Sequence, residues 1–387
     1  MRVAMLAPFG IRPKGTLLAR MLPLAQALTR RGHTVRIIAP PVHNPDDAGR
    51  SDTHDGVAVY HTARPALNGT AGTAQAVWLL VRAVLTDPPD LIHLFKPKGY
   101  SGLAALLLQA LRPDIPLVVD TDDWEGWGGW NDLLPYPPTA KHLFAWQEHD
   151  LPRRAAAVTV ASRTLQSQVW GFGVPRERVF YLPNGIHLTA DSLPPRDAQP
   201  TNPPTIVLYT RFWEFGLHDL IAALVPLVQH CPAVRLVVIG RGEHGEEQTM
   251  LALAQRAGVA HAIDYRGWLE PTTIPAVLAR AHVALVPLDD TLINRARCSA
   301  KLLELMAAGV PVVAANVGQV AEYITAGESG LLVPPASPAA LAEATIRLLA
   351  TPALQQRLRD GAFQRLRACT WAKLAVVAEE AYTSVIR

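Results

Sequence analysis

The sequence predicts a two-domain α/β protein in which each domain is doubly wound and Rossmann-like, with a parallel sheet covered by helices on both faces. Three observations support this prediction. The chain has 387 residues, which is too long for one ordinary core and suits two domains. Short apolar segments alternate with longer helical patterns, as they do in parallel sheets joined by crossover helices. This alternation is interrupted once by a polar, proline-rich stretch and then restarts.

The first domain is predicted over residues 1–187. Its strand candidates are short runs rich in Val, Ile and Leu, the composition of strands that are buried on both faces. They lie at residues 3–7, 35–39, 57–61, 91–95, 117–120, 158–161 and 179–182. A helical pattern at residues 17–31 follows the first strand.

Residues 188–204 (LTADSLPPRDAQPTNPP) contain no sustained apolar period and predict an interdomain linker. The second domain is predicted over residues 205–368. Its strand candidates lie at residues 205–209, 235–239, 262–265, 283–286, 310–314 and 331–333. Helical segments at 352–368 and 371–386 follow, and the helix within residues 369–387 is expected to pack back on the first domain. Two such domains facing each other would form a cleft with one ligand on each wall.

Composition excludes several classes of function. Only 18% of residues are charged and the net charge is +3, which argues against a nucleic-acid-binding surface. The three cysteines, Cys231, Cys298 and Cys369, are far apart and suggest neither a disulfide framework nor a zinc site. A reducing cytoplasm is therefore the expected location. The apolar run at 103–111 is too short to span a bilayer, so we expect no transmembrane segment, although peripheral membrane contact stays open.

The clearest chemical signal lies in residues 297–314, RCSAKLLELMAAGVPVVA. It predicts a helix that is capped by Ser299, ends near Gly309 and leads into a buried strand. A helix N-terminus collects unpaired N–H groups and partial positive charge, so it can bind a diphosphate. Lys301 would add a full positive charge, and Glu304, one turn further on, could accept hydrogen bonds from two ribose hydroxyls. The alternative is a solvated Lys–Glu pair on a helix surface.

The pattern S-x-K-x-x-E-x-M-A-x-G-x-P-V-V-A at residues 299–314 resembles the donor-site helix of retaining glycosyltransferases of family 4. Residues 318–333 (GQVAEYITAGESGLLV) are similar to the stretch that follows it in that family. Gly15 and Thr16, with the sequence up to "GHTV", and the "LPNGI" of residues 182–186 resemble its N-terminal motifs. The resemblance implies a GT-B fold and hexosyl transfer with retention. It also implies that the second domain binds a nucleoside-diphosphate sugar as co-substrate and that the first domain binds an unidentified acceptor hydroxyl.

The resemblance also implies ligands for the donor. The implied diphosphate ligands are Arg211, Lys301, Ser299 and Ala300; the implied ribose ligand is Glu304; the implied base-binding residues are Gly240, Tyr265, Gly267 and Trp268; the implied donor-sugar residues are Asn294 and Arg295. For Trp268, stacking on a base and packing in the core are both open. Two positions depart from the family: Phe215 stands where a lysine is usual, and Ala296 stands where a glutamate contacts the donor sugar.

Three carboxylates lie at the end of the predicted strand at 117–120 and just after it. The resemblance aligns Asp122 with a family histidine near the reacting carbon, and Asp120 and Asp123 flank it. A carboxylate there could orient or deprotonate an acceptor hydroxyl, or stabilise positive charge on the sugar. Three carboxylates this close repel each other, so we expect a raised pKa or a cationic partner. A metal site is the weaker interpretation because no second ligand cluster is evident, and a capping role is a further alternative.

A loop after these carboxylates contains Trp124, Trp127 and Trp130 with glycines between them. Such a loop could cover the active site and stack on a sugar, or it could simply pack on itself. Lys98, after another strand, could hold an anionic acceptor. Together with Gly15 and Thr16, these residues are the candidate acceptor or lid positions.

The sequence therefore predicts a glycosyltransferase that needs no cofactor beyond its nucleotide-sugar substrate. One alternative is a GT-B-fold sugar-nucleotide epimerase or hydrolase in which Asp122 acts without an acceptor. Another is a sugar-nucleotide-binding protein without turnover, motivated by Ala296 and the missing lysine.

Overall fold

A computed structural model describes residues 1–11, 15–188 and 203–386. The chain divides into two compact units. Unit 1 comprises Met1–His187, Ala296–Cys298 and Cys369–Arg387, and unit 2 comprises Leu188–Arg295 and Ser299–Ala368. Most of the predicted linker, residues 189–202, lies outside the described residues.

The secondary structure alternates along the chain as the apolar pattern predicts. The strands are β1 Arg2–Leu6, β2 Thr34–Ala39, β3 Ser51–His54, β4 Val57–His61, β5 Leu91–Phe95, β6 Leu117–Thr121, β7 Ala157–Val160, β8 Val179–Tyr181, β9 Thr205–Tyr209, β10 Arg235–Ile239, β11 Ile263–Gly267, β12 Val283–Val286, β13 Val312–Ala315 and β14 Leu331–Val333. The α-helices are α1 Leu22–Arg30, α2 Gly69–Leu85, α3 Gly99–Leu111, α4 Trp130–Leu133, α5 Pro138–Arg154, α6 Arg163–Gly171, α7 Leu217–His230, α8 Glu246–Arg256, α9 Ile274–Leu278, α10 Leu292–Ala296, α11 Ala300–Ala307, α12 Val320–Tyr323, α13 Pro338–Leu349, α14 Pro352–Leu366 and α15 Trp371–Thr383.

Each unit has one sheet. In unit 1 the strand order is β3-β4-β2-β1-β5-β6-β7-β8, and in unit 2 it is β11-β10-β9-β12-β13-β14. All pairs are parallel except β3 with β4. The prediction of two doubly wound α/β units is confirmed, and every predicted strand is present within two residues of its expected bounds.

Strand β3 is absent from the sequence-based prediction. Its four residues, Ser51–His54, are polar and mostly exposed, so they lack the apolar signature used to find the others. The signal that could have found β3 is the turn after it. Asp55 and Gly56 have φ values of 47° and 84°, and an Asp-Gly pair with two positive φ angles is a favoured connection between antiparallel strands.

The first helix also differs from its prediction. Leu17–Met21 forms a π-helical segment that continues directly into α1, rather than one uniform α-helix. π-helical segments are rare and occur frequently at functional sites. Arg20 lies in this segment, and its side chain is only 1% exposed.

Helix α15 completes the core of unit 1. Trp371, Leu374 and Tyr382 are buried in the same apolar cluster as Leu24 and Leu28 of α1. This helix is contiguous with the second unit in sequence but contributes its apolar face to the first. No helix in the described parts of the chain is long and apolar enough to cross a membrane.

Candidate functional site

The chemically interesting residues of unit 2 follow the carboxyl ends of its strands. Strand β9 is flanked by β10 on one side and β12 on the other, so the chain reverses its direction of winding there. Ligands of open parallel sheets bind beyond the carboxyl ends of strands at such a switch point. The loop after β9 and the start of α11 provide the groups described next.

Glu214 organises the loop that follows β9. Its Oε2 accepts hydrogen bonds from the Thr210 hydroxyl at 2.7 Å and from the Arg211 backbone N–H at 2.8 Å. The Phe212 N–H in turn donates to Thr210 Oγ1 at 2.7 Å, which holds Phe212 at a φ of 72°. The loop is thus fixed by a buried carboxylate while the Arg211 side chain extends into solvent. Phe215, at the position of the family lysine, is buried in the core of the unit.

Helix α11 begins at Ala300 with Ser299 at the N-cap position, as predicted, but the Ser299 side chain makes no capping hydrogen bond. That detail of the prediction is wrong. The backbone N–H groups of this first turn lie at the positive end of the helix.

Lys301 and Glu304 both contact residues of the β9 segment. Lys301 Nζ lies 3.5 Å from Glu214 Oε1 and 5.1 Å from the centre of the Tyr209 ring. Burial and the nearby Glu304 carboxylate raise the pKa of the Tyr209 hydroxyl, which donates a hydrogen bond to Glu304. The two side chains are therefore held by a strand and a loop, which differs from the simple solvated helix pair considered as the alternative.

The protein's own packing explains why position 240, one of the predicted base-binding positions, is a glycine. Gly240 has a φ of 130°, and a Cβ there would lie 1.8 Å from the Thr210 carbonyl oxygen. The close neighbour of Gly240 is thus protein backbone, and this contact by itself requires glycine at position 240. Its N–H donates to the Gly267 carbonyl at 2.8 Å. Trp268 is 59% exposed, which excludes the core interpretation for that residue, while Tyr265 packs edge-on to Phe212.

The predicted donor-sugar residues occupy different environments. Asn294 is buried, and its amide donates to the Glu214 carbonyl at 2.7 Å and the Asp289 carbonyl at 2.9 Å. Arg295 is exposed and forms an ion pair with Asp290. Ala296, where the family has a glutamate, is completely buried in unit 1, and its carbonyl accepts a hydrogen bond from Ser162 at 2.6 Å.

A second group of charged residues follows the carboxyl ends of the strands in unit 1. Asp120 is fully buried and forms a bidentate ion pair with Arg20, with N–O distances of 2.7 and 2.6 Å. Arg20 also donates to the Asn184 side chain at 3.1 Å and to the Leu182 carbonyl at 2.7 Å. Both Asp120 oxygens are occupied, which gives Asp120 a structural position rather than one that contacts substrate.

Asp120 also ends a hydrogen-bonded chain that begins on α15. The Thr159 hydroxyl donates to Asp120, so its oxygen must accept from His93 Nε2 at 3.2 Å. His93 Nδ1 then accepts from the Tyr382 hydroxyl at 2.8 Å. Burial lowers the pKa of His93 to about 4, consistent with the neutral tautomer that this chain requires.

Asp122 has a different environment. Its Oδ2 accepts a hydrogen bond from the Thr16 hydroxyl at 3.0 Å, and its Oδ1 makes no hydrogen bond but lies 3.6 Å from Lys96 Nζ. The residue is 8% exposed. Burial, opposed by Lys96 and reinforced by Asp123 and Asp120, raises the pKa of Asp122 to about 6. The expected cationic partner and the expected raised pKa are both present.

Two lysines balance the remaining carboxylates. Lys96 Nζ lies 2.7 Å from Asp123 and 3.0 Å from Glu125, and Lys98 contacts the other oxygen of Glu125. Lys98 also lies over the Tyr136 ring at 4.5 Å. The charge of Lys98 is therefore already paired within the protein, which weakens the expectation that it holds an anionic acceptor.

The tryptophan loop is packed on itself. The indole Nε1 of Trp124 donates to the Trp127 carbonyl at 2.7 Å, and the backbone N–H of Trp130 donates to the Trp124 carbonyl at 3.1 Å. A Cβ at Gly126 or Gly129 would lie 2.5 Å or less from Trp124 atoms, so these glycines allow close packing rather than motion. Of the three indoles only Trp127 is exposed, with 47% of its surface accessible, and it packs edge-on to His142.

Sequence reasoning missed several members of these clusters. Arg20, Glu125, Tyr209 and Glu214 form hydrogen bonds in these clusters, and Glu148 is buried within electrostatic reach of Glu125. A signal existed for Arg20, because an arginine interrupts the otherwise apolar run LLARMLPLA.

Gly15, a predicted acceptor-site residue, lies immediately before Thr16, and its carbonyl accepts a hydrogen bond from the Ala19 N–H. Among the described residues, no group of three or more His, Cys, Asp or Glu side chains is arranged to hold a metal ion.

Two sequence profiles of protein families match the chain. Residues 15–185 match "Glycosyl transferase 4-like domain", and residues 203–351 match "Glycosyl transferases group 1". The chain is 28% identical over 400 residues to phosphatidyl-myo-inositol mannosyltransferase from Mycobacterium leprae, with 100% of this chain and 97% of the relative covered. It is also 28% identical over 391 residues to glycogen synthase from Mycobacterium tuberculosis, covering 94% of this chain and 90% of that enzyme.

Solved structures with the same fold cover almost the whole chain. Sucrose-phosphate synthase from Thermosynechococcus elongatus superposes with a TM-score of 0.77 at 21% identity, covering 99% of this chain and 98% of its own. HepE from Anabaena, solved in complex with UDP and glucose, has a TM-score of 0.73 at 18% identity, covering 99% and 100%. At these identities the superpositions show the fold alone.

Proposed function

This chain belongs to the GT-B glycosyltransferases of the family 4 type, and we propose that it moves a hexosyl unit from a nucleoside-diphosphate sugar to an acceptor hydroxyl with retention of configuration. The nucleotide would bind unit 2 and the acceptor unit 1. The observation that carries the proposal is the pairing of Lys301 and Glu304 with the β9 segment at the switch point of its sheet. The first turn of α11 adds backbone N–H groups beside Lys301.

The diphosphate leaving group would be stabilised by positive charge at this edge of the sheet. The N-terminus of α11 supplies partial positive charge, and Lys301 and Arg211 supply full charges. Such groups act most strongly where negative charge develops as the bond from the sugar to the diphosphate breaks. Lys301 would exchange its contact with Glu214 for the phosphate oxygens, while the loop stays fixed by the other Glu214 oxygen. No cofactor is part of this proposal.

The ribose would be recognised by Glu304. A carboxylate can accept two hydrogen bonds from neighbouring ribose hydroxyls. The Tyr209 hydroxyl donates to the Glu304 carboxylate and so fixes its orientation before the nucleotide arrives. This arrangement suits a pair of neighbouring hydroxyls such as those of a ribose.

We propose that Asp122 is the carboxylate that acts on the acceptor hydroxyl and on the transferred sugar. Asp120 is saturated by Arg20 and Thr159, and Asp123 is in direct contact with Lys96. The buried Oδ1 of Asp122 accepts no hydrogen bond from the described residues, so it can accept one from a substrate. In its ionised form it would stabilise positive charge on the sugar and take the acceptor proton while the acceptor oxygen bonds to the anomeric carbon.

Nucleotide binding by variants tests the donor site. Lys301→Ala and Glu304→Ala should each weaken binding of the preferred nucleotide among UDP, GDP and ADP by about 10- to 100-fold, because each loses a charge-assisted hydrogen bond. Isothermal titration calorimetry measures this directly. Glu304→Ala should also bind the nucleotide and its 2′,3′-dideoxy analogue almost equally.

Arg256→Ala and Glu343→Ala are matched controls, because both residues are exposed on helices of the same unit. Both should bind like the wild type. Unchanged affinity for all three nucleotides in Lys301→Ala and Glu304→Ala would contradict the donor site. Anomeric NMR of the product then tests retention once a donor and an acceptor have been found.

A further inference from the structure

Lys96 is an unusual residue in unit 1. It lies directly after β5, is 5% exposed, and has a φ of 50°. A non-glycine residue in the left-handed region is uncommon and carries backbone strain, and such strain collects at functional sites. A buried lysine is equally uncommon unless its charge is paired. The same residue therefore combines two costly features.

The Lys96 ammonium meets three carboxylates from the loop after β6. It lies 3.6 Å from Asp122, 2.7 Å from Asp123 and 3.0 Å from Glu125. Burial alone would lower the pKa of Lys96, but the attraction of these carboxylates raises it well above its usual value. Lys96 is consequently a permanent positive charge at the carboxyl edge of the sheet.

We propose that Lys96 is a positioning residue that holds the Asp122 carboxylate ionised and in place for sugar transfer. The inference rests on the proposed function of Asp122 and adds the group that controls it. Thr16 orients one Asp122 oxygen by a hydrogen bond, and Lys96 attracts the other without donating a hydrogen bond to it. That second oxygen keeps its lone pairs for another partner.

Other charges that act on Asp122 are already committed elsewhere. Arg20 is bound in a bidentate pair to Asp120, so its positive charge is largely compensated. The carboxylates of Asp120, in β6, and Asp123, in the loop after it, disfavour negative charge on Asp122. From α5, Glu148 is buried, and burial with the nearby Glu125 raises its pKa well above the usual value, which favours its neutral form. Among the described residues, Lys96 is thus the cation that forms an ion pair with Asp122.

Two substitutions should move the ionisation of Asp122 in opposite directions. Lys96→Met removes the attracting charge, so the acidic limb of the pH–rate profile should move upward by about one pH unit or more. Asp123→Asn removes a repelling carboxylate and a competitor for Lys96, so the limb should move downward. Lys96→Arg keeps the charge and should leave the limb near its wild-type position, and Asp122→Asn should abolish it.

Generic damage to folding would not produce opposite shifts. Lys373→Met, at an exposed site on α15, is the matched control and should leave the limb unmoved. If Lys96→Met does not fold, Asp123→Asn still decides the question. A limb at unchanged pH in Asp123→Asn, or in folded Lys96→Met, would overturn the proposal.

A carboxyl-carbon NMR titration of aspartate-labelled protein gives the same information without any catalysis, with the Asp122 signal assigned by its loss in Asp122→Asn. The Asp122 titration should shift upward in Lys96→Met and downward in Asp123→Asn. An unshifted titration contradicts the role of Lys96. A wild-type protein that transfers no sugar, with the titration shifted as expected, contradicts the proposed function instead.

Discussion

Three carboxylates within four positions of the sequence have three different electrostatic environments. Asp120 is compensated by Arg20, Asp123 by Lys96, and Asp122 only partly by Lys96 at 3.6 Å. Burial in a low-dielectric interior penalises the charged form of a carboxyl group, so incomplete compensation raises its pKa. Asp122 is thus the member of the group that can change its protonation near neutral pH, which is useful for a group that handles a proton.

The pH dependence of stability should report this environment. The pKa of Asp122 is about 6 in the folded protein, above the unfolded value of about 3.9. The native state therefore binds the proton more tightly, and the free energy of unfolding should fall as pH rises from about 4 to about 6. The free energy of unfolding should fall by up to about 3 kcal/mol more in the wild type than in Asp122→Asn, because residue 122 does not titrate in that variant. Urea unfolding of both proteins at several pH values measures it; a constant difference would contradict the assignment.

At the scale of elements, α15 links the end of the chain to the charged cluster of unit 1. Its apolar face covers α1, and its Tyr382 hydroxyl begins the hydrogen-bonded chain through His93 and Thr159 to Asp120. All of these groups are buried. The helix therefore buries apolar surface against α1, and its Tyr382 fixes the tautomer of His93.

Tyr382→Phe should remove one link of this chain. The ring would still fill its site, but His93 Nδ1 would lose its donor, at a cost of about 1–3 kcal/mol for an unsatisfied buried acceptor. Tyr60→Phe, on a half-exposed tyrosine of β4, is the control and should change stability by less than about 0.5 kcal/mol. Chemical denaturation at neutral pH compares the two variants. Equal effects would show that the hydrogen bond to His93 contributes no stability.

At the scale of the whole molecule, the two units are alike in architecture and different in chemistry. Unit 1 places buried, mutually compensating charges at the carboxyl ends of its strands. Unit 2 has Lys301 and Glu304 in the first turns of α11. The proposed function fits this division, because the proposed transfer requires one site for an anionic nucleotide sugar and another for the acceptor.

A nucleotide that binds only the native protein must raise its melting temperature. At a concentration of one hundred times its Kd, the preferred nucleoside diphosphate should add about 3 kcal/mol to the free energy of unfolding. A thermal-shift screen of UDP, GDP and ADP and their sugars should identify the donor. The same ligand should produce a much smaller shift in Glu304→Ala. A screen in which no nucleotide shifts the wild type would contradict the proposed donor site.

The sequence by itself determined the alternation of strands and helices, the two-unit organisation, and the helix that places Lys301 and Glu304 one turn apart. These features are local, because strand runs, helix periods and caps are set by neighbouring residues. Only the tertiary structure decided which cation meets which carboxylate. Arg20 and Asp120 are 100 residues apart in sequence, and they meet because β1 and β6 both flank β5 in the sheet. Strand order, which no local pattern encodes, left Asp122 with Lys96 as its partner.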